Sequence, residues 1–175
     1  RSALDAVELM NIGANYLREH VREDARIHYV VTGGGGQPNV VPPEAQVWYY
    51  VRADSYADME RYWQRLNDVA RGAALMTGAT LEVQVDTATH EVLPNRPLSR
   101  LIQRNLELVG PPQFTDADRE FARRTQEDIT PRPEKALADT IEPLPAQPEK
   151  TPGSTDVGDI SWKVPTGQFT VATYT

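Results

Sequence analysis

Between Ile27 and Arg52, two runs of β-branched and aromatic residues flank a loop of four glycines and three prolines, and few folds accommodate that arrangement. In the first run Ile27, Tyr29 and Val31 alternate with His28, Val30 and Thr32; in the second, Ala45, Val47, Tyr49 and Val51 alternate with Gln46, Trp48, Tyr50 and Arg52. Period-two alternation bounded by Gly and Pro predicts two strands joined by a long connection. The apolar face of the second strand belongs against a core. Its other face suits a partner or a ligand. The glycines free the backbone while Pro38, Pro42 and Pro43 fix φ, so the loop is shaped. It is not a phosphate cradle: no Lys-Ser/Thr follows the glycines, and the chain enters another strand instead of a helix.

Around this stretch the chain reads as alternating elements. Ser2-Ala3-Leu4-Asp5 has the form of a capping box, and Leu4, Val7, Met10, Ala14, Leu17 and Val21 recur at helical spacing, giving a helix that ends near His20. His20 in its last turn is read as a partner for the helix dipole. Ser55 opens a second helix whose apolar face is Met59, Tyr62, Trp63, Leu66, Val69, Ala70, Ala73 and Met76, closed by Gly78. Leu81, Val83 and Val85 then alternate with Glu82, Gln84 and Asp86, which predicts a half-buried strand. Helix, strand, strand, helix, strand is a split βαβ pattern without its first strand.

After His90 the pattern changes. A helix over residues 98–109 stops at Gly110-Pro111-Pro112, a charged surface helix covers 116–128, and the proline-rich 129–153 has no core of its own. The apolar-patterned stretch 160–174 is expected to hold a strand near Phe169 to Ala172. Residues 1–90 and 91–175 are therefore read as separate regions.

The composition excludes several classes of function. A formal charge of -7, a pI near 5.0 and no basic stripe argue against a nucleic-acid partner. No apolar run approaches a membrane span. The absence of cysteine excludes disulfides and thiolate chemistry and fits a cytoplasmic location. His20, His28 and His90 have no spacing that would place two ligands on one metal. Glu23-Asp24 and Glu127-Asp128 lie in polar, solvated runs, and Ser154 lacks a Gly-x-Ser-x-Gly elbow. These residues alone define an α+β binding or association domain with an appended segment.

Three segments carry a more specific signal: residues 1–11, RSALDAVELMN; residues 35–42, GGQPNVVP; and residues 153–162, GSTDVGDISW. In this order they resemble the aminoacylase and glutamate-carboxypeptidase superfamily of two-metal peptidases, and most of all its branch acting on aminobenzoyl-glutamate and dipeptide-like substrates. The resemblance implies an α/β catalytic domain with two divalent ions, zinc or manganese, and an inserted βαββαβ lid that dimerises. This chain is similar to the lid without its first strand, followed by part of the catalytic domain. Arg1 standing directly before a helix signal adds to the expectation of a fragment.

Carried over residue by residue, the lid motif falls on Gly35, Gly36, Asn39 and Pro42. The resemblance implies that Asn39 reaches toward the active site across the dimer and that Arg52 binds the substrate carboxylate. A guanidinium suits that task because it donates two parallel hydrogen bonds. The plainer alternatives are an ion pair of Arg52 with Glu44 and an Asn39 side chain bonded to its own turn. Gly153, Ser154, Thr155, Asp156 and Asp159 are expected near the active site, with none assigned as a metal ligand. The family's metal ligands have no counterpart in this sequence, so no cofactor is expected in this chain and it is expected to be inert alone. The expected partners are a second copy joined through the lid or a chain carrying the missing half, and a small amino-acid amide as substrate. A stand-alone α+β interaction or ligand-binding module is the alternative; residues 153–162 distinguish the two, since such a module has no use for a catalytic-domain segment.

Overall fold

The computed structural model describes residues 2–131, 133–148 and 153–172, and the fold is mixed α+β. The chain divides into two compact units, residues 1–91 and 92–175.

In the first unit α1 (Ala3–Arg18) begins where Ser2 accepts the Asp5 N–H at 3.2 Å, which satisfies one of the amides left open at a helix start. β1 (Arg26–Gly33) and β2 (Gln46–Arg52) form a two-stranded antiparallel sheet. Its register sets Ile27 opposite Val51, Tyr29 opposite Tyr49 and Val31 opposite Val47. Both apolar alternations therefore share a face, as the sequence pattern requires. α2 (Tyr56–Thr77) starts on Ser55, which accepts the Asp58 N–H, and stops at Gly78 in the left-handed region, φ 69°.

The two helices pack on the apolar face of the sheet. The core joins Ala14 and Leu17 of α1, Ile27 of β1 and Leu66 of α2, with Met10, Val21, Tyr49 and Val51 around them. Tyr62 is buried too, its hydroxyl accepting the Arg22 N–H at 3.1 Å. Close approach of the helices depends on Gly13: a Cβ there would lie 2.5 Å from Val69 Cγ1. Toward its C-terminal end the apolar face of α2 rotates, so that Ala74 is buried and Met76 exposed.

The strand predicted over Leu81 to Val85 is not a strand. Residues 79–91 run extended without a ladder, and Leu81, Val83 and Val85 are exposed. The extension has a geometric cause. A 22-residue helix is about 33 Å long at 1.5 Å per residue. The chain must retrace that length, because Glu91 accepts the Tyr56 N–H at 2.8 Å and His90 stacks on Tyr56 at 4.0 Å. The thirteen steps from Gly78 to Glu91 cover it at about 2.5 Å each, well above the 1.5 Å of a helix, so the segment is largely extended. A strand also needs a neighbour to bond, and among the described residues β1 and β2 pair only with each other.

The second unit holds α3 (Arg96–Val109), α4 (Asp116–Thr125) and the short α5 (Val157–Ser161). Thr115 and Asp118 close a full capping box on α4, and the hydrogen bonds from Thr115 hold the Asp118 carboxyl below its ordinary range. The described part of the proline-rich stretch has no helix or strand and is tied down by side chains. Arg96 donates to the Pro145 and Ala146 carbonyls, Gln103 to Glu142 O and buried Gln126 to Ala136 O, while Arg119 pairs with Asp139 at 2.8 Å. Residues 169–172 form no strand, against expectation; Thr173, Tyr174 and Thr175 lie outside the described residues.

Leu66 is 1% exposed, so Leu66→Ala should cost about 2–5 kcal/mol in chemical denaturation followed by circular dichroism. On the same helix Leu75 is 84% exposed, and Leu75→Ala should change stability by less than about 0.5 kcal/mol.

Candidate functional site

The face of the sheet turned away from the helices carries the residues with chemistry to offer. His28 stands opposite Tyr50, Val30 opposite Trp48 and Arg26 opposite Arg52. Trp48 is 47% and Tyr50 57% exposed, and their rings lie 5.2 Å apart at 56°. On the other face Tyr49 is half-buried and donates to Asn11 Oδ1 at 2.5 Å; burial pushes its hydroxyl well above the ordinary range, so it remains a donor. One strand thus sends alternate aromatics to a core and to an open surface.

Arg52 ends β2 on the open face, and its side chain makes no ion pair or hydrogen bond among the described residues; the pairing with Glu44 is not formed. Like charges opposite one another are unfavourable. Here Arg26 turns away, donating to the Glu23 and Ala25 carbonyls at 2.5 and 2.7 Å. That leaves the Arg52 guanidinium as the disengaged cation of the pair.

Asn39 lies exposed in a turn closed by Val40 N–H to Gln37 O at 3.1 Å, and its side chain makes no bond to the loop among the described residues. The loop owes its shape to Gly35. Its φ is +99°, and a Cβ there would meet Pro42 Cγ at 2.6 Å. Pro42 O in turn accepts the Ala3 N–H at 3.1 Å, which ties the loop to the start of α1. Gly36 has open space around it.

The hairpin keeps these two candidates apart. Asn39 belongs to the loop end, at Gly33 and Gln46, and Arg52 to the other end of β2. Six residue steps at about 3.3 Å separate Gln46 from Arg52, roughly 20 Å. One copy of this unit does not bring both side chains to the same small ligand.

In the second unit Gly153, at φ +145°, Ser154, Thr155 and Asp156 are exposed, and Asp159 is half-buried. Thr155 Oγ1 accepts the Val157 N–H at 3.3 Å as α5 begins, whereas the Asp156 side chain makes no cap bond. A residue that sequence reasoning passed over organises this segment: Ser161 is buried, donates to Gly158 O at 2.6 Å and accepts the Leu93 N–H at 2.8 Å. Its neighbours Ile160 and Trp162 gave no local pattern that would have singled it out.

Two other features bear on chemistry. An open groove of about 430 Å³ between the end of α1 and α2 is lined by Leu17, His20, Val21, Arg22, Arg61, Tyr62 and Arg65. Arg22 pairs with Asp24 and Arg61 with Asp58, so much of its positive charge is already neutralised. Among the described residues no group of three or more His, Cys, Asp or Glu could hold a metal ion, so these residues do not fit a catalytic metal centre. Nor, among them, is any helix long and apolar enough to cross a membrane.

No protein-family profile matches the chain. Comparison with curated proteins places it in the aminoacylase and glutamate-carboxypeptidase superfamily of peptidases and amidohydrolases, to which the chain belongs. It is 37% identical over 193 aligned residues to one of the subunits of the p-aminobenzoyl-glutamate hydrolase of Escherichia coli strain K12, covering 96% of this chain and 40% of that protein. It is 30% identical over 110 residues to the Xaa-Arg dipeptidases of Mus musculus and Homo sapiens, covering 62% of this chain and about a quarter of each. The chain thus spans two fifths or less of the length of these relatives.

Because Arg52 is exposed and unpaired among the described residues, Arg52→Lys and Arg52→Ala should each leave stability within about 0.5 kcal/mol in a urea titration. Gly35→Ala should be clearly more destabilising, since it combines a positive φ with a clash against Pro42.

Proposed function

We propose that residues 1–90 are the lid of an amidohydrolase that cleaves amide bonds to amino acids, and that residues 91–175 are part of its catalytic domain. Arg52 then receives the free carboxylate of the substrate. The observation that carries the reading is an Arg52 guanidinium on the open sheet face with no counter-charge among the described residues. It stands in a chain alignable over 96% of its length with a hydrolase subunit. A carboxylate supplies the missing charge and accepts both prongs of the guanidinium.

The substrate class is an N-acyl amino acid, of the aminobenzoyl-glutamate or dipeptide type that the relatives' names describe. Hydrolysis releases the amino acid and the acyl carboxylate. The residues that would hold two divalent ions, zinc or manganese, are not among those described, so no chemical step is assigned to this chain. They come from elsewhere in the same polypeptide or from a second chain; the bacterial relative is itself named as a subunit. Within this reading the lid joins two copies, and Asn39, some 20 Å along the hairpin from Arg52, serves the site of the opposing copy. The extended residues 79–91, with Leu81, Val83 and Val85 exposed and no ladder, support strand addition during assembly. Residues 153–159 lie beside the active site. The lack of cysteine suits a reducing cytoplasm.

Two experiments test the proposal. The purified 175-residue chain should bind no stoichiometric zinc and hydrolyse neither aminobenzoyl-glutamate nor a dipeptide; metal analysis showing tight zinc together with turnover would sink it. In the assembled enzyme, Arg52→Lys should lower kcat/KM for substrates with a free carboxylate by about 1–3 kcal/mol of transition-state binding, with metal content unchanged. A substrate amidated at that carboxylate should be insensitive to the same change. Equal losses on both substrates would mean that Arg52 supports the lid and not the ligand.

A further inference from the structure

The open face offers more than a cation. Trp48 and Tyr50 precede Arg52 at two-residue steps, so the three side chains project from one face about 6.6 Å apart along the strand. Val30, opposite Trp48, is exposed and extends the apolar area across to β1. The stripe is bounded, with Gln46 at one end and Arg52 at the other.

This pattern of chemistry restricts the occupant. An apolar protein surface laid over the stripe would cover the rings but leave the Arg52 guanidinium desolvated without a counter-charge, which is costly. A simple anion would satisfy Arg52 and leave two large rings in water. A compound with a flat ring and a carboxylate a few ångströms apart satisfies both, by stacking and by a charge-assisted pair.

We propose that Trp48 and Tyr50 form a platform for the acyl half of the substrate, so that the enzyme prefers an aromatic acyl group to an aliphatic one. The inference rests on the placement of Arg52 at the substrate carboxylate. It selects between the two substrate types left open above, favouring the N-aroyl amino acid over the dipeptide. Trp48 and Tyr50 act on specificity and touch no reacting atom.

The test is kcat/KM of the assembled enzyme for N-benzoyl-glutamate and N-acetyl-glutamate, with wild type, Trp48→Leu, Tyr50→Leu and Arg52→Lys. Both aromatic side chains are exposed, so the fold should persist, as circular dichroism will check. Wild type should prefer the benzoyl substrate. Each Leu variant should reduce that preference by about two- to twelvefold, the size of one aromatic contact. Arg52→Lys should lower both substrates by the same factor and keep the preference. If both Leu variants retain the wild-type preference, or lower both substrates equally, the platform is overturned while the role of Arg52 stands. If wild type hydrolyses neither substrate but does hydrolyse a dipeptide, the platform falls and the proposed function stands; if it hydrolyses none of the three, both fall.

Discussion

The first unit depends on the burial of one face of a two-stranded hairpin. Two strands alone are marginal in water, because each lacks a second neighbour and neither face is dry. α1 and α2 supply the missing layer, and Leu66 is the side chain through which they do so, meeting Ala14, Leu17 and Ile27. Gly13 lets the helices come close enough to share that contact. The helices cover one face and leave the other without a layer of its own. Val30, Trp48, Tyr50 and Arg52 are exposed because every position between them points to Leu66 and its neighbours.

Much of this was legible from residue order. Alternation is a property of the backbone, so Ile27, Tyr29 and Val31 could be set on one face before any partner was known, and the register places them opposite Val51, Tyr49 and Val47. Helix starts at Ser2 and Ser55 and the stop at Gly78 were legible for the same reason, since caps are local bonds. The failure came at Leu81, Val83 and Val85. Their alternation matches a half-buried strand, but strand formation is a relation between two segments, and the alternating residues stay exposed where no second segment bonds to them.

The site was legible to a different depth. That Arg52 lies beside Trp48 and Tyr50 follows from two-residue spacing alone. That a glycine in the loop is obligatory follows from the Gly-Pro composition, but choosing Gly35 over Gly36 required the position of Pro42. The distance between Asn39 and Arg52 follows in outline from the length of the second strand, with Asn39 in the loop before it and Arg52 at its far end. They lie thirteen positions apart in sequence, and the antiparallel register fixes the loop at one end of the hairpin and Arg52 at the other. Ser161 was hidden because its partners, Gly158 and Leu93, include one far away in the chain.

That separation limits what one such hairpin can offer a small ligand. A rigid ribbon about 20 Å long, fixed on one face by two helices, presents a shaped loop at one end and a cation at the other. A single small substrate cannot touch both, so the two ends act on one molecule only if two ribbons approach it from different directions. On the proposed reading, duplication of the unit would meet that requirement without any change in its fold, one copy offering its loop where another offers its guanidinium. On that same reading, the order imposed by Gly35 on the loop and by Arg26 turning aside from Arg52 would hold each end in place before its counterpart arrives.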